Sequence, residues 1–142
     1  MNAVALAEQL NRLIALEQRG LAEHLREARP YLTPRTFALW RKIEQMGDVS
    51  AHHVARLSAM LADLGQPQRA GGFEPRVADF HFIDLPRLLP ELVAIKEAKA
   101  KAYHRAAQLA SERADLATEL EAMAQVTHEQ LATLQGAPLT RA

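Results

Sequence analysis

The stretch LNRLIALEQRGLAEH, residues 10–24, decides the fold. At about 100° per residue, Leu6, Leu10, Leu13, Leu21, Leu25 and Ala28 share one side of a helix. Glu17 falls in the middle of that apolar side, and His24 follows two turns on. A carboxylate on a core-facing stripe must find a proton, a cation or a metal, because burying it alone is too costly. The rest of the chain has to supply one of the three.

Composition narrows the search. The chain has 142 residues, 49% apolar and only 5% aromatic, rich in Ala and Leu. This favours helix in a single domain over residues 1–136, with APLTRA at 137–142 as a frayed tail. Lys plus Arg equals Asp plus Glu at 17 each, so the basic excess that drives nucleic-acid binding is missing. No apolar window is long enough for a membrane span. MNAVALAEQL has no basic n-region, so it does not read as a signal peptide. Cysteine is absent, which removes disulfides and thiolate chemistry and fits a cytoplasmic protein.

Four helical segments are expected. The first runs from about residue 3 to 29 and ends at Pro30. The second opens at TPRTF, with Thr33 as N-cap and Pro34 at N1, and stops at Gly65 and Pro67. Its inward stripe is Leu39, Ile43, Met46, His53, Leu57, Met60, Leu61 and Leu64, which turns His52 toward solvent. Residues 65–84 form a long crossover holding Phe73, Phe80 and Phe82. The third helix starts between Leu85 and Pro90 and runs to about 110; the fourth begins at a Ser111 or Asp115 cap and ends near Gly136. A long crossover between two short turns gives an all-α four-helix bundle around a single core.

At this point the residues resemble a family. LNRLIALEQ…EAR in the first helix resembles the bacterioferritin and rubrerythrin type of ferritin-like protein, with Glu17 at the first metal-ligating carboxylate. HHVARLSAMLADLGQP is similar to that family's His-containing helix and its Gly-Pro exit. The resemblance implies the ferritin-like bundle and an iron or manganese centre. Such a centre takes a Glu from each of two helices and a Glu-x-x-His from each of the other two. Carboxylates and imidazoles suit those metals.

The chain departs from that pattern. Three residues before His53 stands Ser50, and before His52 stands Val49, so the second helix lacks its carboxylate. The third-helix stripe of Leu85, Leu89, Leu92, Tyr103 and Ala107 centres on Lys96 and Lys99, with Glu97 beside it. In the fourth helix, QVTH offers Gln125 and His128, but the stripe of Leu116, Leu120, Leu131 and Leu134 centres on Thr127.

Two functions compete. In the first, the di-metal centre has degenerated and the protein is a structural or interaction module without a cofactor, self-associating as a homodimer or larger. Glu17 is then buried within reach of Lys96 or His53, with Lys96 its expected ion-pair partner. In the second, Glu17, His53 and His128, with Glu97 and Glu121 recruited from the flanks, ligate iron or manganese in a ferroxidase or peroxide-consuming protein. A desolvated Lys96 also has the makings of a Schiff-base amine, though nothing else marks a carbonyl pocket. His104, like His52, is expected to face solvent.

Overall fold

A computed structural model describes residues 2–18, 32–69 and 85–136. Among them are four helices and no strands: α1 (Ala3–Gln18), α2 (Pro34–Asp63), α3 (Leu85–Leu109) and α4 (Ala114–Gln135). The second half of the expected first helix, with His24, lies outside the described residues. So do most of the crossover with its three phenylalanines, and the tail.

The helix boundaries follow from local chemistry. Thr33 caps α2: its hydroxyl accepts from the Thr36 N–H at 3.3 Å, while Thr36 Oγ1 accepts from the Thr33 N–H at 2.9 Å. Thr36 thus fills the place Glu or Gln takes in the usual capping box. At the other end Gly65 adopts φ +66°, a backbone region open to glycine without strain. The Gln66 N–H reaches the Leu61 carbonyl and the Gly65 N–H the Ala62 carbonyl, both at 3.0 Å. That pair of bonds is a Schellman motif, which ends the helix.

The start of α4 differs from expectation. Neither Ser111 nor Asp115 caps it; Arg113 stands at the N-cap without a side-chain capping bond. Its guanidinium instead reaches Asp63 at 2.7 Å and Asp115 at 3.0 Å, tying the α3–α4 turn to the end of α2. Asp115 acts from within the first turn, where a negative charge complements the helix dipole. Helix α3 runs from Leu85 straight through Pro90; the proline falls early enough that only a first-turn carbonyl loses its partner.

Side-chain packing gives the topology. One apolar cluster joins Leu6, Leu10 and Leu13 to Leu57 and Leu61, to Ala106 and Ala110, and to Leu116 and Leu120. A second joins Trp40, Ile43 and Met46 to Leu88, Leu89 and Leu92, and to Leu134. The C-terminal halves of α2 and α3 share the first cluster and their N-terminal halves the second, so these two helices run parallel. Helix α4 runs against both. The end of α2 and the start of α3 therefore lie at opposite ends of the bundle, and the residues just after α2 cross α1. Asn11 donates to the Pro67 carbonyl at 3.1 Å and accepts from the Arg69 N–H at 2.7 Å.

The apolar side chains of the described residues form two clusters, where one core was expected. Among the described residues, Glu17, Ser50, His53, Lys96, Lys99 and Thr127 are buried between the two apolar clusters. No helix among the described residues is long and apolar enough to cross a membrane.

Candidate functional site

The layer between the clusters is built by helical phase. Glu17 sits one turn beyond Leu13 on the buried face of α1. His53 occupies the inward position of α2, and its neighbour His52 points outward and is exposed. On α3, Lys96, Lys99 and Tyr103 follow at spacings of three and four, which keeps all three on one face. Glu17, Lys96 and Lys99 retain only 2%, 2% and 3% of their exposure.

Both oxygens of Glu17 are occupied. Lys99 Nζ donates to Oε1 at 2.7 Å, and Tyr103 donates its hydroxyl hydrogen to Oε2 at 2.5 Å. His53 Nδ1 lies 2.8 Å from Oε2 and 3.1 Å from the Tyr103 oxygen. The carboxylate only accepts, and the tyrosine has spent its hydrogen on it. Nδ1 of His53 therefore carries a proton, directed at Glu17. The short Tyr103 contact has the length of a charge-assisted bond.

These contacts decide the charge. Burial by itself pushes the Glu17 carboxyl up, but the His53 hydrogen bond, the Lys99 charge and hydrogen bond, and the Tyr103 hydroxyl together hold it well below the usual carboxylate range. Burial and the adjacent Glu17 charge raise Tyr103, which stays a neutral donor. Of the three ways to satisfy a buried carboxylate, the fold uses a cation: a lysine ammonium.

Lys96 is placed differently. The expected Glu17–Lys96 ion pair is not the one that forms, because Glu17 lies level with Lys99 and Tyr103, one turn away. Lys96 Nζ instead donates to the amide oxygen of Gln130 at 2.7 Å. Burial first and then repulsion from Lys99, only partly offset by Glu17, push its amine down to about 7. Gln130 also lines a groove of about 360 Å³ between α2 and α4, together with Met46, Val49, Val126 and Thr133.

The remaining predicted ligands do not join this layer. His128 is exposed on the outer face of α4 beside His104, while Thr127 turns inward and bonds the Met123 carbonyl. Glu97 lines an open groove of about 470 Å³ between α1 and α3, with Gln9, Arg12 and Arg105. Glu121 lies near His104, on the outside. Among the described residues no three His, Asp or Glu side chains gather so as to hold a metal ion.

Among the described residues the donor set at Glu17 is one carboxylate with both oxygens engaged and one imidazole with its Nδ1 proton directed inward, with the Lys99 amine at 2.7 Å. Sequence reasoning found Glu17 and His53 but missed Tyr103 as their partner. The signal was present: Tyr103 stands four residues after Lys99 on the same stripe.

No known protein family, curated protein or solved structure matches this chain.

Proposed function

We propose that this protein is a ferritin-like helical bundle whose metal centre has given way to an internal ion pair, and that it serves as a structural or interaction module. One observation carries the reading: Lys99 Nζ sits 2.7 Å from Glu17, with His53 and Tyr103 completing the carboxylate's bonds. A lysine within contact distance repels a divalent cation by several kcal/mol at intermediate dielectric, whereas beside a lone carboxylate it offsets the burial cost. A fold by itself carries no activity, and the ferroxidase alternative has no second carboxylate at Glu17 among the described residues. Self-association as a homodimer or larger is part of the proposal.

The decisive experiment is elemental analysis of protein purified without chelator, joined to oxygen uptake after Fe²⁺ addition. The expected result is no iron or manganese that depends on Glu17 and no protein-dependent oxidation. Stoichiometric iron or manganese that disappears in Glu17→Ala would overturn the reading. Light scattering on the same sample reports self-association; a monomer at high concentration would remove that part.

A further inference from the structure

Tyr103 and Thr127 point into the bundle; the residues that follow them, His104 and His128, emerge together on the other side. Their Nε2 atoms are 2.9 Å apart, and the ring centroids are 5.2 Å apart. The two nitrogens therefore lie between the rings, facing each other. On the far side of His104, Nδ1 lies 3.3 Å from one Glu121 oxygen and 3.4 Å from the other.

The carboxylate determines the tautomer. Glu121 can only accept, so the hydrogen of a neutral His104 sits on Nδ1, and Nε2 presents a bare lone pair to His128. A carboxylate behind a histidine whose far nitrogen is bare is the outer-shell arrangement that orients metal-ligating imidazoles and makes them more basic.

We propose that His104 and His128 form an exposed two-imidazole clamp for one divalent transition-metal ion, with Glu121 as the orienting carboxylate and water as the remaining ligands. Metal–nitrogen bonds of about 2.0–2.1 Å that meet near a right angle place the two nitrogens about 2.9 Å apart. The separation already present thus suits a tetragonal ion, and the change required is a pivot of the rings that converges their lone pairs. Both side chains are at the surface, where such a pivot meets little packing. On binding, His128 gives up any Nε2 hydrogen to solvent or to its own Nδ1. Imidazole donors in tetragonal geometry favour Cu²⁺, which also leads the divalent affinity order, with Ni²⁺ and Zn²⁺ behind it. The clamp is separate from Glu17 and independent of the reading proposed for it.

The test is calorimetric titration of the full chain with CuCl₂, with electron paramagnetic resonance of the bound ion. One Cu²⁺ per chain is expected, with hyperfine structure from two imidazole nitrogens. His104→Ala and His128→Ala should each weaken binding about 100-fold, by losing the second arm of the chelate. Glu121→Gln should weaken it about 10-fold, as outer-shell substitutions do. Glu17→Gln and His52→Ala should leave the isotherm unchanged. Saturating Cu²⁺ should raise the Tm of the wild type but not of the His104→Ala/His128→Ala double variant, since the ion links α3 to α4 only in the folded state. An isotherm unaltered in the double variant would overturn the clamp, as would an equal loss in His52→Ala, which would mean adventitious binding by surface imidazoles.

Discussion

Lys99 and Lys96 stand three residues apart on α3 and are equally buried, yet they occupy opposite electrostatic situations. The Lys99 end of the polar layer is closed: one ammonium, one carboxylate, and an imidazole and a phenol filling the remaining acceptor sites. The Lys96 end is open: a buried amine faces a neutral amide, beside a second lysine and close to the α2–α4 groove. Burial alone therefore does not decide what a lysine does; the axial level of its neighbours does. A lysine level with the carboxylate bonds it directly, and one a turn away is left with burial and a like-charged neighbour that push its amine down.

The largest expected effect is at the closed end. Lys99→Met should destabilise the protein by about 3–5 kcal/mol in urea unfolding, because it strands a buried carboxylate. The double variant Glu17→Met/Lys99→Met should recover much of that loss, since neither charge is then left alone. Additive costs would show that the two residues do not share a site. The same pair sets the acid response. Because the folded carboxyl is held below its ordinary value of 4.5, its contribution is complete above that pH and is lost as pH falls below it. Glu17→Gln should flatten that acid limb.

A smaller loss is expected from Tyr103→Phe, which removes one donor from a charged acceptor while leaving the ion pair. About 1.5–3 kcal/mol is the expected cost, and a neutral result would mean that Lys99 and His53 alone satisfy Glu17.

The open end should reveal itself by pH rather than by truncation. Lys96 holds its proton up to about 10.5 when unfolded but only to about 7 when folded. Between those values the unfolded chain binds more protons, so stability should rise with pH, by up to about 1.4 kcal/mol per unit. Below about pH 7 both states are charged and the slope vanishes. Lys96→Met should abolish the slope and cost far less at neutral pH than Lys99→Met. The finest test is Gln130→Glu, which offers Lys96 the carboxylate it lacks. That substitution should raise the amine's pKa and move the slope to higher pH; an unchanged profile would mean the slope belongs to other groups.

Much of this could be read in the sequence, for identifiable reasons. Apolar spacing put Glu17 and His53 inside and His52 outside, because helical phase depends only on counting residues. Thr33-Pro34 and Gly65 marked the ends of α2 through local backbone chemistry. The interval of 36 residues between Glu17 and His53 suits antiparallel helices, and they meet at 2.8 Å. The choice of Lys99 over Lys96 was not legible. Both lie on the same stripe, and only the axial register of α1 against α3 separates them, a tertiary quantity that no local pattern encodes. The start of α4 was misread because Arg113 bonds Asp63, far away in sequence, so no nearby capping residue reports it. His104 was expected at the surface, whereas His128 was read at the flank of its stripe and taken as a ligand of the Glu17 site; the pairing of the two depends on how closely α3 and α4 approach.

The parallel course of α2 and α3 bears on how the molecule comes apart. Helices α3 and α4 are joined by a tight turn and can associate early, since closing a short loop costs little entropy. Glu17 must wait: its partners lie 36, 82 and 86 residues away, on two helices separated by the long connection. The buried ion pair needs α1 docked on both, and the expected outcome is that it forms late, with its interactions absent from much of the transition state. Interactions of that kind act mainly on the unfolding rate. The polar layer is then less a contributor to folding speed than a latch: weakening it should shorten the lifetime of the native state and leave the rate of its formation nearly unchanged.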